Sequence, residues 1–276
     1  MNAALPKSRS RQETLVDVGD GVRLWVWDTG GDGPAIVLLH ASTGSGECWD
    51  QQWPVFAKAG YRVIGYSRRG HFGSDDGNAT ATTPASADLL RLVDALGLDR
   101  FHLLGTAAGG MVATDFAVSH PRRLLSFVIS SSIVGLVDDD YQAMLHRLLP
   151  PEFERLPHDF RELGPSYRAQ CPDGVARWNA MLARSGVERV PLRFANRVRW
   201  ADLQRFDVPV LVLTGDADLY APPANARLIA SRIPGARLTI LPDSGHSPWW
   251  EVAELYNREI LTFLGSVSRQ EHLDHG

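Results

Sequence analysis

Short apolar runs alternate with longer stretches of helical periodicity along this chain, and the alternation predicts a mostly parallel sheet with crossover helices. Most runs are apolar at consecutive positions, as expected for strands that are covered on both faces. Residues 13–28 are interrupted by Gly19-Asp20-Gly21, a turn sequence that predicts an antiparallel hairpin ahead of the parallel part. The strands predicted from these runs are 22–27, 35–40, 61–66, 101–104, 126–131, 208–214 and 237–241.

One helix can be predicted in detail from residues 83–97. Thr83 is a suitable N-cap, Pro84 suits the first helical position, and Gly97 is suited to end the helix. The apolar face that we expect to pack on the sheet consists of Leu89, Leu90, Leu92, Val93 and Leu96.

The strand pattern stops between residues 134 and 203, where helical stretches are broken by several prolines, among them Pro150-Pro151, Pro157 and Pro191. The strand pattern resumes after this segment. The sequence therefore predicts one α/β core formed by residues 1–133 and 204–276, with a helical cap at 134–203 inserted between two strands.

Composition narrows the class of protein without assigning a function. Of the 276 residues, 44% are hydrophobic and 22% are charged, which is typical of a soluble globular protein. The net charge is −4 and no run of Lys or Arg could neutralise a phosphate backbone, so nucleic acid is not an expected partner. No segment has the apolar length of a membrane span or of a signal peptide, so we expect a cytoplasmic protein without a membrane partner.

The two cysteines, Cys48 and Cys171, are too few to form a metal cluster by themselves, and we expect free thiols. No motif requires a metal or an organic cofactor, so none is expected. The expected partner is a small-molecule substrate, and the sequence leaves open whether the chain forms a homodimer.

The glycine-rich segment Gly105-Thr106-Ala107-Ala108-Gly109 follows a predicted strand and precedes a helical pattern. Such a turn can hold phosphate, but the spacing of a dinucleotide fingerprint and its acidic residue are absent. The segment resembles the nucleophile elbow Gly-x-Ser-x-Gly of the α/β-hydrolase superfamily. Both glycines match, since the strained turn needs neighbours without side chains, but Ala107 stands where the serine is expected.

Two segments near the C-terminus strengthen the resemblance, which extends over about residues 20–265. The turn Gly215-Asp216-Ala217-Asp218 is similar to the one that carries the catalytic acid, and its spacing implies Asp218 rather than Asp216. The turn Gly245-His246 is similar to the one that carries the catalytic base. The chain order of nucleophile position, acid and histidine also agrees with the family.

Two upstream segments complete the resemblance. The turn His40-Ala41-Ser42 is similar to the family's His-Gly turn, which implies that the backbone N–H groups of Ser42 and Ala108 form an oxyanion hole, although Ala41 replaces the glycine. The segment 69–74 resembles the family's Arg-Gly-x-Gly-x-Ser loop, in which we expect Arg69 and Ser74 to fix a tight turn.

Substrate contacts are harder to predict than the catalytic frame. His40, His71 and Trp249 are the candidates for substrate binding, although His40 is also placed to hold the oxyanion loop. Aromatic and large apolar side chains of the predicted cap would suit an apolar or aromatic small molecule, or they bury the cap's own faces. The side chains in question are Tyr141, Met144, Leu148, Phe153, Phe160, Tyr167, Trp178, Met181, Phe194 and Trp200, with Trp250 beside Trp249.

The missing serine leaves three interpretations of the site. Ala107 is a serine replaced to hold a substrate uncleaved, in a hydrolase of an ester, a lactone or an activated C–C bond. Alternatively alanine is the native residue, and His246 with Asp218 activates water or abstracts a substrate proton directly, as in a lyase, an isomerase or a cofactor-free oxygenase. In the third interpretation the protein binds a ligand without turning it over. The resemblance favours the first two, because a pure binder has no need of the acid and the histidine.

Overall fold

The computed structural model describes residues 10–78, 82–186 and 190–274. In these residues eight strands form one sheet: β1 (Gln12–Asp17), β2 (Arg23–Asp28), β3 (Ala35–Leu39), β4 (Arg62–Tyr66), β5 (Phe101–Thr106), β6 (Leu124–Ser130), β7 (Val210–Gly215) and β8 (Arg237–Leu241). The strand order is β1-β2-β4-β3-β5-β6-β7-β8. Each predicted strand is confirmed, with ends that differ by no more than about two residues.

The sheet is antiparallel at one end and parallel elsewhere. Strand β2 pairs antiparallel with both β1 and β4, whereas β4, β3, β5, β6, β7 and β8 pair in parallel. The predicted hairpin is confirmed, and its turn places Gly19, Asp20 and Gly21 at φ values of 81°, 58° and 70°. Two of the three positions are glycine, which adopts positive φ without a steric penalty.

Eleven α-helices of the described residues connect or flank the strands. They are α1 (Trp53–Lys58), α2 (Ala85–Ala95), α3 (Ala108–Ser119), α4 (Asp139–Leu148), α5 (His158–Glu162), α6 (Pro165–Gln170), α7 (Pro172–Ser185), α8 (Trp200–Leu203), α9 (Pro223–Arg232), α10 (Pro248–Glu251) and α11 (Ala253–Asp274). Helices α4 to α8 lie between β6 and β7, within the segment predicted as an inserted cap.

The sheet is covered by apolar side chains on both faces. Along β3, Val37 and Leu39 belong to the cluster under α2 and α3, while Ile36 and Leu38 belong to the cluster under α1 and α11. All five residues of β3 are buried. This two-sided burial explains why the strand has consecutive apolar residues, and the predicted fold class, an α/β-hydrolase fold with a mostly parallel sheet flanked by helices, is confirmed.

The predicted start of α2 is wrong by one residue. Pro84 is the N-cap, with extended backbone, and the helix begins at Ala85. The Thr83 hydroxyl donates to Asp20 at 3.2 Å, and no side chain caps the helix. The predicted end is confirmed, because Gly97 follows the last turn with φ of 67°.

Three expectations from composition concern individual residues or helices. Cys48 is buried and Cys171 is exposed, and both are free thiols as predicted. No described helix combines the length and the hydropathy that a membrane span requires. The described residues contain no group of three or more His, Cys, Asp or Glu side chains placed to hold a metal ion.

Candidate active site

The candidate site lies where the chain order of the parallel strands reverses. Strand β3 continues in the chain to β4 on one side, whereas its neighbour β5 continues to β6 on the other, so the connections that leave β3 and β5 run in opposite directions. The carboxyl ends of parallel strands at such a point form a natural crevice for ligands. The turns after β3, β5, β7 and β8 meet here, and they carry Ser42, Ala107, Asp218 and His246 respectively.

The turn after β5 keeps the geometry of a nucleophile elbow although it carries no nucleophile. Ala107 has φ of 50° and ψ of −119°, a conformation that a residue with a side chain rarely adopts. A side-chain carbon at Gly105 would lie 2.4 Å from the carbonyl oxygen of Gly109, and one at Gly109 would lie 2.3 Å from that of Leu39. Ser132 stabilises the turn by donating to the Ala107 carbonyl at 2.7 Å. The expected need for glycine on both sides is therefore confirmed.

The structure brings Asp218 and His246 together. The Nδ1 atom of His246 lies 2.9 Å from Oδ1 and 3.0 Å from Oδ2 of Asp218. Asp218 also accepts hydrogen bonds from the Thr214 hydroxyl at 2.7 Å and from the N–H groups of Tyr220 and Ala221 at 2.8 Å each. These donors fix the carboxylate, so Nδ1 is oriented toward it and Nε2 is left for the cavity.

Burial and charge act in opposite directions on this pair. Burial alone would raise the pKa of Asp218, but His246 together with the hydrogen bonds from Ala221 and Thr214 holds it below its ordinary value. Burial alone would lower the pKa of His246, but Asp218, with smaller contributions from Glu162 and Glu251, raises it to about 9. The pair therefore favours an imidazolium beside a carboxylate when no ligand is bound.

Two glutamates hold the loop that carries His246. The main-chain carbonyl of Glu162 accepts a hydrogen bond from the N–H of His246 at 2.9 Å. The carboxylate of Glu251 accepts from the N–H groups of Gly164 at 2.6 Å and Gly245 at 3.0 Å. A side-chain carbon on Gly245 would lie 2.5 Å from the nitrogen of Gly164, so the two segments approach this closely only with glycine.

A cavity of about 390 Å³ contains the site. Ala107 and His246 line it, and so do Ser42 and Ala108, whose backbone N–H groups have no hydrogen-bond partner among the described residues. Unpaired N–H groups beside a cavity are the donors that an oxyanion hole requires. Segment 134–203 contributes Leu145, Leu149, Glu154, His158, Arg161 and Glu162 to the wall.

The three predicted substrate-binding residues lie elsewhere. His40 is fully buried, donates from Nδ1 to the Ala41 carbonyl at 2.6 Å and accepts at Nε2 from the Arg68 N–H at 3.0 Å, so it holds the oxyanion loop. His71 lines a neighbouring cavity of about 290 Å³, which shares Ser42 with the first. Trp249 is 2% exposed and packs on Trp49 in the core, so the structure does not place it on the cavity.

Of the two alternatives left open for the large side chains of the predicted cap, an aromatic lid over this cavity is not observed. None of the aromatic side chains proposed for it lines the 390 Å³ cavity, and Tyr141, Phe153 and Trp178 are buried in the core. Sequence reasoning missed the polar part of the wall, which includes Arg161, Glu162 and Tyr220. Tyr220 packs against His246 with ring centroids 4.6 Å apart and ring planes tilted by 41°. Its place two residues after the acid was the only signal in the sequence.

The loop after β4 has the structural role that was expected of it. Arg69 forms two hydrogen bonds to Asp88, at 2.5 and 2.8 Å, and the pair is buried. The Ser74 hydroxyl donates to the Ser67 carbonyl at 2.7 Å and accepts from the Trp25 N–H at 2.8 Å. These contacts attach the loop to the sheet and fix its turn.

The comparison with known proteins agrees with this geometry. The family model described as alpha/beta hydrolase fold matches residues 34–252, so the chain belongs to that family. The fold and the relatives of this chain identify it as an enzyme of the hydrolase type.

Its relatives carry several names. A Bacillus subtilis protein named putative 2-succinyl-6-hydroxy-2,4-cyclohexadiene-1-carboxylate synthase is 27% identical, over 91% of this chain and 98% of its own. A Paraburkholderia phymatum protein named 2-hydroxy-6-oxononadienedioate/2-hydroxy-6-oxononatrienedioate hydrolase is 28% identical, over 93% and 96%. Among solved structures, a thermophilic esterase from Thermogutta terrifontis has a TM-score of 0.77 and 24% identity, over 94% and 99%.

Proposed function

We propose that this chain hydrolyses a small, largely apolar carbonyl compound, such as an ester, a lactone or an activated C–C bond, and that His246 activates the attacking water directly. One observation carries the proposal. Asp218 holds Nδ1 of His246 at 2.9 Å, and the imidazole lies in the wall of the same cavity as Ala107. Because Ala107 has no hydroxyl, the proton that the base removes has to come from water or from the substrate.

The backbone around the cavity supports a carbonyl substrate. In this proposal the N–H groups of Ser42 and Ala108 bind the oxygen on which negative charge develops, a contribution worth about a hundredfold or more per donor in comparable sites. The aliphatic side chains of Met111, Ile133 and Leu149 suit the apolar part of the molecule. The Paraburkholderia relative supports the same class, since its name describes hydrolysis of an oxo compound.

A second candidate follows from the same alanine. Without a serine, His246 could instead take a proton from the carbon next to a carbonyl, and the two N–H groups would stabilise an enolate. The name of the Bacillus subtilis relative, a synthase, indicates that hydrolysis is not the only reaction associated with such chains. A 1,3-diketone separates the candidates, because exchange of its central proton without cleavage indicates proton abstraction alone.

The experiment is turnover of p-nitrophenyl acetate, dihydrocoumarin and a 1,3-diketone by the given chain and its variants. We expect His246→Ala to reduce turnover to background and Asp218→Asn to reduce it by up to about ten-thousandfold through misorientation of the ring. His146→Ala, on the exposed face of α4, should leave turnover unchanged. Activity that survives the loss of His246 would move the chemistry elsewhere in the cavity. A chain that binds these compounds without turning them over would instead support the interpretation in which alanine replaces a lost serine.

A further inference from the structure

A second carboxyl group lies in the wall of the reaction cavity, at the end of α5. Glu162 is 4% exposed, and its main-chain carbonyl accepts hydrogen bonds from the N–H groups of His246 at 2.9 Å and Ser247 at 3.1 Å. These two bonds attach the backbone of Glu162 to the loop of the catalytic histidine. Its side chain therefore starts from a fixed position beside His246.

The carboxyl group of Glu162 is only partly satisfied. The hydroxyl of Thr43 donates a hydrogen bond to it, and Thr43 lines the cavity directly after Ser42. The other contact is missing, because Oε2 is buried without a hydrogen-bond partner. A buried polar atom that lacks a partner costs free energy. Among the described residues that have such a buried side-chain atom, only Arg161 and Glu162 line this cavity.

A comparison with Glu251 shows what a purely structural carboxylate looks like in this protein. Both oxygens of Glu251 accept hydrogen bonds from backbone N–H groups, at distances between 2.6 and 3.2 Å. Glu251 is absent from the cavity wall, whereas Glu162 is part of it. The two glutamates support the same loop, but only Glu162 has an oxygen without a protein partner and a place on the cavity.

We propose that Glu162 is a catalytic residue, the general acid that protonates the leaving group of the substrate while His246 acts as the base. This inference rests on the proposed hydrolytic function. His246 removes a proton from water as the water oxygen bonds to the carbonyl carbon. When the bond from that carbon to the leaving oxygen breaks, the Glu162 carboxyl donates its proton to that oxygen. The proton on His246 then returns to the Glu162 carboxylate, which restores both groups.

The electrostatic surroundings are compatible with this cycle. Burial raises the pKa of Glu162 above its ordinary value, although the nearby His246 and the Thr43 hydroxyl oppose the change. The charged or titratable groups that face it are His246, Asp218, Arg161 and Tyr220. Glu162 and His246 thus share one proton. The resting form has that proton on His246, whose pKa is raised to about 9, and the reactive form has it on Glu162.

The test compares two esters that differ in their need for an acid. The p-nitrophenolate of p-nitrophenyl acetate leaves without protonation, whereas the alkoxide of benzyl acetate requires it. We expect Glu162→Gln to slow hydrolysis of benzyl acetate by about a hundredfold or more and to change hydrolysis of p-nitrophenyl acetate by only a few-fold. Glu162→Asp should recover part of the lost rate. The matched control Glu251→Gln should affect both esters to the same extent, since its role is to hold the loop.

Each result decides the proposal. Equal losses for the two esters in Glu162→Gln, with activity still dependent on His246, would overturn the role of Glu162 and leave the proposed function intact. A chain that hydrolyses neither ester would overturn both. If Glu162→Gln does not fold, the unmodified chain decides. With an internal acid its rate depends only weakly on the acidity of the leaving alcohol across a series of acetate esters, and a steep dependence would contradict the proposal.

Discussion

At the scale of single residues, Ala107 shows that the elbow does not depend on the side chain it normally presents. A residue with a side chain at φ of 50° and ψ of −119° costs about 1–3 kcal/mol, and alanine gains nothing chemical in return. The glycines at 105 and 109 and the hydrogen bond from Ser132 hold the turn in place. The turn is therefore preorganised for a hydroxyl that the chain lacks.

This preorganisation predicts that Ala107→Ser creates a reactive serine. The hydroxyl would enter a turn built to present it, in the same cavity as His246. A fluorophosphonate probe should label the variant at position 107 and leave the given chain unlabelled, as mass spectrometry of the digested protein would show. The double variant Ala107→Ser/His246→Ala should not react. A folded single variant that resists the probe would indicate a site adapted to work without serine.

Asp218 and His246 differ from Glu162 in how far the sequence alone could locate them. Asp218 and His246 follow strands at fixed spacings, so a local pattern was enough to predict that they meet. Glu162 precedes no motif, and its place beside His246 depends on how α5 folds back over the strand ends. The position of His40 has the same origin, since Nε2 of its ring accepts from the backbone N–H of Arg68 in a distant loop, while Nδ1 bonds to the adjacent Ala41 carbonyl.

At the scale of elements, the strands were predicted well because two-sided burial leaves a direct mark on the sequence. The five buried residues of β3 are an example, since each must be apolar whichever face it meets. The sequences of the helices between β6 and β7 show no comparable pattern that would identify which side chains face the cavity. Their large side chains pack into the core, as for Trp178, which is fully buried among residues of the sheet and its helices. The cavity is lined by aliphatic and charged residues from this segment instead.

Leu149, directly after α4, lies in the cavity wall, so we expect its size to influence which acyl chains the protein accepts. Leu149 lines the cavity, whereas its neighbour Leu148 is 42% exposed and faces away from it. We expect Leu149→Phe to lower kcat/KM for p-nitrophenyl hexanoate relative to the acetate by about tenfold, because the added ring occupies the space of a longer chain. Leu148→Phe is the control and should leave the ratio unchanged. An unaltered ratio in Leu149→Phe would remove this part of segment 134–203 from substrate selection.

At the scale of the whole molecule, the charges of the site affect folding as well as chemistry. Burial would lower the pKa of His246, but Asp218 and the two glutamates raise it to about 9 from an ordinary value of 6.5. A group whose pKa is higher in the folded state stabilises the fold fully below its unfolded pKa. That contribution is lost as the pH rises through the folded pKa. The relevant window is therefore between pH 6.5 and about 9.

The free energy of unfolding should accordingly fall by up to about 3 kcal/mol between pH 6.5 and 9, since each pKa unit corresponds to about 1.4 kcal/mol. Glu251 lowers the free energy of unfolding over an earlier pH range. Burial raises its pKa from 4.5 to about 7, so its stabilising contribution is lost as the pH rises through that range. Asp218→Asn removes the carboxylate that holds the proton on His246, so the difference in stability between the chain and this variant should shrink as the pH rises. Urea unfolding at several pH values from 6 to 9.5 measures the difference, and His146→Ala should give a curve parallel to that of the unmodified chain. If the difference in free energy of unfolding between the chain and Asp218→Asn stays constant from pH 6.5 to about 9, Asp218 does not keep His246 protonated in this range. The histidine would then already be neutral at pH 7, and the proposed base would need no change of charge before it acts.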